Sequence, residues 1–282
     1  EERHGADEGA SSLEVRHASG DRRLSRDVHP HVAVGLRRRA LDAAIAALRG
    51  VNPDSDLAGY EWAIGTTAGG VEVRPFNSVG AATNATTAGL TLTSGTTYYV
   101  TVRATNGAGL AATATSDGVK VDGTPPPAGT VNDGTGADID FQISTSTLDA
   151  NWSSFPDPES GVVGYEWAIG TSAGATDVQP FTGVAAASAA SASLTLTSAA
   201  TYYVAVRATN GAGLTTTVNS DGVTVDTSPP MAGTVNDGTG ADIDIQGTAT
   251  TISSNWSGFF DTESGISGYE WAIGTSDGGT EV

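Results

Sequence analysis

An internal repeat of 104 or 105 residues constrains the fold more than any other feature of the sequence. The heptapeptide YEWAIGT begins at Tyr60, at Tyr165 and again at Tyr269, and VRATNGAGL begins at Val102 and at Val206. This period is too long for a solenoid repeat and matches the size of one small domain. The chain is therefore predicted to be a tandem array of a single domain.

The repeat divides the chain into four predicted parts. We expect copy two to be complete, and copies one and three to be incomplete. The parts are an atypical segment, 1–50; partial copy one, 51–123; complete copy two, 124–227; and truncated copy three, 228–282.

Alternating side chains predict that each copy is built from β-strands. The stretch LTLTSGTTYYVTVRAT at 90–105 is rich in Thr, Val and Tyr, which favour strands. Asn106-Gly107 follows it, and such a pair commonly supplies positive φ in a turn between two strands. The buried face of this strand is expected to carry Tyr98, Val100, Val102 and Ala104.

Tryptophan is expected to supply much of the core. In copy two, the alternation in YEWAIGT directs Tyr165, Trp167 and Ile169 inward, and Glu166 and Ala168 outward. One buried indole removes about 150–250 Å² from water, which contributes roughly 4–6 kcal/mol before entropy losses. A second inward set is Leu148, Ala150 and Trp152.

Three patterns together resemble the fibronectin type III family. The family has a Trp on strand B, a Tyr-x-apolar pattern on strand C, and the run Leu-x-Pro-Gly-Thr-x-Tyr-x-Val-x-Val-x-Ala-x-Asn into strand F. Trp152 and Trp256 match the first pattern, and Tyr165 with Trp167 matches the second. The third is matched by Leu92, Gly95, Thr96, Tyr98, Val100, Val102, Ala104 and Asn106, and again by Leu196, Thr201, Tyr202, Val204, Val206, Ala208 and Asn210.

This resemblance covers about residues 51–282 and implies an all-β fold of tandem Ig-like, seven-stranded sandwiches. It also implies that Tyr98 and Tyr202 are corner tyrosines whose hydroxyls bond to nearby backbone. In copy two, Ser198 and Ala199 stand where the family has Pro and Gly. The arrangement is most similar to repeated modules of large bacterial-type surface or secreted proteins, so we expect an extracellular or cell-surface location.

Charge and composition exclude several classes of partner. The formal net charge is −19, which argues against binding nucleic acid. No run of about 18 apolar residues is present, so no membrane insertion is expected from this sequence. Without cysteine, no disulfide framework forms. The expected partners are the neighbouring repeats and a cell-surface protein or carbohydrate.

Catalysis finds little support in the array. All four histidines precede residue 51 and cysteine is absent, which removes His- and Cys-based catalytic groups from the copies. Paired carboxylates could in principle cleave glycosides, but these acids recur in every copy, mainly at turns. We therefore predict no enzyme activity, no catalytic residue and no cofactor, with calcium as the one exception considered.

Two acidic clusters are candidate calcium sites, because calcium takes six to eight oxygen ligands. The sandwich would bring the first cluster of one copy near the second cluster of the next, with Asp122 or Asp226 between them. The alternative is that both clusters are solvated turns, for which Asn-Asp-Gly is well suited. The first cluster is Asn132, Asp133, Asp138 and Asp140, repeated as Asn236, Asp237, Asp242 and Asp244. The second is Asp157 and Glu159, repeated as Asp261 and Glu263, with Asn52 and Asp54 equivalent in copy one.

Residues 1–50 do not match the array. They hold nine of the 13 basic residues and all four histidines, and they replace the two strands that precede DPESG in copy two. The stretch 36–49 could form a basic amphipathic helix. A disordered segment is the alternative, and our preferred interpretation is an out-of-frame or mis-assigned stretch upstream of residue 51.

The sequence supports two hypotheses about function. The first is a non-catalytic extracellular array of spacer or adhesion modules from a larger protein. The second is a set of accessory modules from a carbohydrate-active or other secreted enzyme, whose catalytic domain lies outside this stretch. Sequence flanking the array would discriminate between them.

Overall fold

The computed structural model describes residues 57–185, 188–191 and 193–282. Within these ranges every assigned element of regular secondary structure is a β-strand, which confirms the all-β prediction. The described ranges contain no helix with the length and apolar character needed to cross a membrane. The predictions for residues 1–50, and for Asn52 and Asp54, fall outside the described ranges.

Copy one forms a single antiparallel sheet in its described part. The sheet order is β2-β1-β3-β4, and β5 pairs with β3 further along that strand. Its strands are β1 (Leu57–Gly65), β2 (Arg74–Gly80), β3 (Thr97–Asn106), β4 (Ala111–Thr115) and β5 (Val119–Lys120). Tyr60, Trp62 and Ile64 are buried on this sheet, and Leu90 and Leu92 pack against them.

Copy two is a two-sheet sandwich. One sheet has the order β11-β8-β6, and the other β10-β9-β12-β14-β7, with β13 also paired to β12. The β7 pairing to β14 is parallel, whereas the other ladders of copy two are antiparallel. The strands are β6 (Val131–Asp133), β7 (Phe141–Gln142), β8 (Leu148–Trp152), β9 (Val162–Gly170), β10 (Gln179–Val184), β11 (Ser188–Ser191), β12 (Thr201–Asn210), β13 (Thr215–Asn219) and β14 (Val223–Val225).

The core of copy two lies between these sheets and follows the predicted alternation. The two predicted inward sets meet there: Trp152 comes from one sheet and Trp167 from the other. Both indoles are at most 4% exposed. The rings of Trp152 and Phe155 contact Tyr165, with centroids 5.9 and 5.8 Å apart. The prediction of an aromatic core is confirmed.

Ala168 differs from its prediction, because it is fully buried although its side chain belongs to the outward set. It pairs with Ala205 on β12, and that alanine is also buried. The pair lies between the larger pairs Arg207–Glu166 and Tyr203–Gly170 on the same face of the sheet. A small side chain flanked by larger ones loses contact with water even on the outer face.

The corner tyrosines are confirmed in both copies that contain them. The hydroxyl of Tyr98 accepts a hydrogen bond from the amide of Thr93 at 2.9 Å, and the hydroxyl of Tyr202 accepts one from Thr197 at the same distance. Ala199 takes φ +63° at this corner, and its counterpart Gly95 takes φ +81°. Copy two therefore holds a residue with a side chain in a left-handed backbone conformation.

The loop after Asn106 differs from the prediction that Asn106-Gly107 supplies the positive φ of the turn. β3 ends at Asn106 and β4 begins at Ala111, and the positive φ falls on Gly109. The Asn106 side-chain oxygen accepts the amides of Ala108 and Leu110, which shapes a longer loop. The asparagine side chain organises this connection.

Copy three is open in its described part. Its two strands, β15 (Thr234–Asp237) and β16 (Ser254–Ser257), pair antiparallel. Its YEWAIGT segment carries no strand assignment, and Trp271 is 60% exposed. Among the described residues, copies one and three each form one sheet. The division of the chain into complete and incomplete copies stays a prediction.

Candidate functional site: the repeat junctions and an acidic cluster in copy two

The junction between copies one and two is a hydrogen-bonded structure. Asp122 leaves copy one, and its Oδ2 accepts hydrogen bonds from the Ser160 hydroxyl at 2.5 Å and from Asn210 Nδ2 at 2.8 Å. Lys120 Nζ donates to the carbonyl of Pro158 at 3.0 Å. The end of copy one is thus joined directly to the loops of copy two.

Asn210 is the centre of this junction. It ends β12 and is 1% exposed. Its Nδ2 also reaches the carbonyl of Thr124 at 3.0 Å and Asp157 Oδ2 at 3.1 Å. Its Oδ1 accepts two loop amides, as in copy one, so a single side chain both shapes its own loop and holds the linker.

The DPESG loop presents Asp157 to the junction. Asp157 Oδ1 accepts the amides of Ser160 and Gly161 at 2.8 and 2.9 Å. The Ser160 amide is the main reason that the pKa of Asp157 is lowered, with smaller contributions from Asn210 and Gly161. Gly211 is required beside this loop, because a Cβ there would lie 2.9 Å from the carbonyl oxygen of Ser160.

Three junction acids lie close enough to share a cation. Asp122, Asp157 and Glu159 each offer one oxygen within 4.8 Å of the others. The oxygens of Asp122 and Asp157 already accept the hydrogen bonds described above. Calcium binding at this junction stays a prediction.

The second junction repeats the acids of the first. Asp226, Asp261 and Glu263 form the corresponding group. Asp261 Oδ1 accepts the amides of Glu263, Ser264 and Gly265, and the pKa of Asp261 is lowered chiefly by the Ser264 amide. Calcium binding by these three residues also stays a prediction.

A third group of acids lies within copy two and departs from the expected arrangement. Asp133 and Asp138, from the first predicted cluster, meet Asp221 of the same copy, with one oxygen of each within 4.8 Å of the others. The first cluster therefore groups with its own copy, whereas the junction acids group among themselves. Asp133 is fully buried, and Asp138 and Asp221 are exposed.

The remaining candidate residues lie outside these groups. Asp140 is exposed, and so are Asp237, Asp242 and Asp244 of copy three. Asp242 repeats one local contact, since its Oδ1 accepts the Asp237 amide at 2.8 Å as Asp138 accepts that of Asp133 at 2.7 Å. In the described part of copy three, Asp237 and Asp242 therefore keep the local contact of Asp133 and Asp138, but no third acid corresponding to Asp221 joins them.

Sequence reasoning missed two residues of these sites, Asn210 and Asp221. Both lie in repeated motifs, VRATNGAGL and SDGV, which could have drawn attention to them. Their spatial partners, however, are about 90 residues away in the chain: Gly222 contacts Asp133 across 89 positions, and Asn210 contacts Asp122 across 88.

Three of the four basic residues of the array contact other side chains, and the fourth, Lys120, lies at the first junction. Arg207 contacts Glu166 at 2.7 Å and stacks over Phe181 at 4.1 Å, and Arg103 makes the equivalent contacts with Glu61 and Phe76. Arg74 lies over the Trp62 ring, and Lys120 binds Pro158. These four are the whole basic complement of residues 51–282. Among the described residues, neither of the two salt bridges involves an acid of the three groups.

Comparisons with known proteins found similar solved structures. No family model matches the chain, and no curated protein matches it. The fibronectin(III)-like modules of Clostridium thermocellum CbhA are similar at 12% identity and TM-score 0.32, covering 62% of this chain and 82% of that one. The FN1-FN3 domains of chicken CNTN1 are similar at 18% identity and TM-score 0.25, covering 65% of this chain and 62% of that one.

The second copy is a fibronectin III-like sandwich. This assignment rests on its own geometry: the three-stranded sheet β11-β8-β6, the opposed sheet built on β10-β9-β12, and the tyrosine corner at Tyr202. The strand motifs of copy two recur in copies one and three, and the described residues of each of these copies form one sheet.

Proposed function

We propose that this chain is a non-catalytic array of spacer and adhesion modules belonging to a larger surface or secreted protein. Its work is to hold neighbouring modules at a fixed separation and orientation. The partners in this proposal are the adjacent repeats, and a cell-surface protein or carbohydrate recognised by the parent molecule.

The junction between copies one and two is the observation that carries the proposal. A flexible tether needs no contacts across its ends, whereas Asp122 and Lys120 of copy one both bond to copy two. Hydrogen bonds to charged groups typically contribute about 1.5–3 kcal/mol each when shielded from water. The nearly complete burial of Asn210 provides that shielding.

The charge of the array supports an extended arrangement. Residues 51–282 hold four basic residues against 24 acidic ones, a net charge of 4 − 24 = −20. Like charge disfavours compaction and association, and at ordinary salt this repulsion acts over about 10 Å. Neighbouring modules therefore repel one another except at the junction, where hydrogen bonds fix their contact.

The orientation of copy one relative to copy two tests this proposal. The chain has no cysteine, so Ser78→Cys with Thr182→Cys would place one exposed spin label on each copy without background labelling. We expect a narrow distance distribution by pulsed electron spin resonance. Asn210→Ala should broaden it, because Asp122 loses its hydrogen bond to the buried Asn210 side chain.

Asn106→Ala is the matched control. Asn106 shapes its loop in copy one as Asn210 does in copy two, but it lies away from the junction described here. The distribution should stay narrow in this variant. A broad distribution in the otherwise unaltered chain would contradict the spacer proposal.

A further inference from the structure

Asp133 is a buried carboxylate with incomplete hydrogen bonding. It ends β6 and is fully buried. Its Oδ2 accepts the amide of Gly222 at 3.1 Å, while its Oδ1 has no hydrogen-bond partner among the described residues. Burying a carboxylate oxygen without a partner is costly, so this atom needs a positive or donating ligand.

The surroundings of Asp133 add negative charge. One carboxylate oxygen each from Asp133, Asp138 and Asp221 lies within 4.8 Å of the others. Asp138 Oδ1 accepts the Asp133 amide, which leaves its second oxygen available for another contact. The array's basic side chains are engaged at other places in the fold, as described above, and do not compensate these three acids.

We propose that Asp133, Asp138 and Asp221 bind a divalent cation, for which Ca²⁺ is the best fit. Calcium binds carboxylate oxygens at about 2.3–2.6 Å, so two ligands of one ion lie at most about 5 Å apart. The spacing of the three oxygens satisfies this limit. Backbone carbonyls and water would complete the six to eight ligands that calcium takes.

The electrostatics of Asp133 agree with this assignment. The pKa of Asp133 is raised to about 6, chiefly by burial and to a smaller extent by the charges of Asp138 and Asp221, while Ser220 and the Gly222 amide offset part of the rise. A cation at the cluster would supply the missing neutralisation. The cation would also link β6, the first strand of copy two, to the segment before β14, the last strand of the same copy.

The test is calcium binding by the full chain. CaCl₂ titrated into metal-free protein should release or absorb heat at a site with a dissociation constant of about 10⁻⁴–10⁻³ M, the range of extracellular calcium modules. Asp221→Asn should weaken this binding at least about tenfold, because an amide carries no charge and offers one oxygen. MgCl₂ should bind more weakly, since magnesium demands a tighter octahedron.

Two matched variants make the result decisive. Asp117→Asn removes the equivalent SDGV carboxylate of copy one, where no described counterparts of Asp133 and Asp138 exist, and should leave binding unchanged. Glu159→Gln removes a junction acid and should also leave this binding unchanged. Far-ultraviolet circular dichroism should verify that each variant is folded.

Asp138→Asn is a second variant of the proposed site. It keeps an oxygen for the Asp133 amide and should weaken calcium binding as Asp221→Asn does.

Three results would overturn the proposal. One is the absence of calcium binding in the full chain. Another is undiminished binding in both Asp221→Asn and Asp138→Asn. The third is loss of binding only in Glu159→Gln, which would place the cation at the junction.

Discussion

Copies two and three carry the same heptapeptide, YEWAIGT, in opposite environments. Trp167 of copy two is 3% exposed, whereas Trp271 of copy three is 60% exposed. In copy two, β12 pairs along the whole of β9 and places Val206 opposite Trp167. In copy three, the described residues of the heptapeptide carry no strand assignment and pair with no other strand.

The aromatic contacts are nevertheless the same in both copies. Trp256 lies 5.8 Å from Tyr269, and Phe259 lies 6.0 Å from the same ring, close to the distances found in copy two. The ring cluster is therefore a local structure, whereas burial of the heptapeptide indole depends on the neighbouring strand. This difference shows that the sandwich core is completed by β12 and its pairing.

The largest expected effect on the free energy of unfolding is at the two equivalent tryptophans of this comparison, Trp167 and Trp271. Trp167→Ala should reduce the free energy of unfolding of copy two by about 3–5 kcal/mol, because it removes a fully packed ring and leaves a cavity. Trp271→Ala should change stability by at most about 0.5 kcal/mol, as surface substitutions usually do. Urea unfolding of the full chain, followed by circular dichroism, measures both. Equal losses would mean that copy three is closed in solution.

A smaller effect on the free energy of unfolding is expected at two equivalent residues, the buried Asp133 of copy two and the exposed Asp237 of copy three. The folded pKa of Asp133 is raised from 3.8 to about 6, so the folded state holds its proton more tightly than the unfolded state does. The free energy of unfolding should therefore fall as pH rises from about 4 to 6 in the presence of a chelator.

Asp133→Asn should remove this pH dependence. At pH 7 with chelator, the variant should be more stable than the unaltered chain by about 1–3 kcal/mol, and near pH 3.5 the two should be equal. Asp237→Asn is the control and should have no effect at either pH. A variant that is less stable at pH 7 would show that the ionised carboxylate is already compensated without a metal.

The smallest effect concerns the tyrosine corner and extends the comparison to copy one. Ala199 adopts positive φ, where its counterpart is Gly95. Ala199→Gly should stabilise copy two by about 1 kcal/mol through release of backbone strain, and Gly95→Ala should destabilise copy one by a similar amount. A Cβ at Gly95 would lie 3.9 Å from Glu159, which is an ordinary van der Waals distance, so a steric clash would not contribute to the change in stability. Thermal unfolding of the two variants should show shifts of opposite sign.

Much of the fold could be predicted from local sequence. Alternation identified the buried faces at Tyr98, Trp152 and Trp167, and the tyrosine-corner motif predicted the hydroxyl contacts of Tyr98 and Tyr202. These features succeed because a strand directs successive side chains to opposite faces, whatever lies beyond it. Ala168 shows the limit of this rule, since its burial depends on the size of its neighbours.

The candidate sites were only partly accessible from sequence. The pattern identified Asp133, Asp138, Asp157 and Glu159 as acids of interest, but it combined the two clusters, whereas the structure places them in separate groups. It also gave no reason to select Asn210 as the centre of the junction. Each omission involves partners that are close in space and distant along the chain.

The sequence by itself determined that this chain repeats one unit built from β-strands, because the repeat period and the alternation of side chains are properties of the chain read in order. Only the tertiary structure decided that Asp221 joins Asp133, that Asn210 holds the linker, and that Trp271 stays exposed while Trp167 is buried. The physical reason is that strand pairing brings together residues about 90 positions apart, and the free energy of a buried carboxylate or indole depends on those distant neighbours.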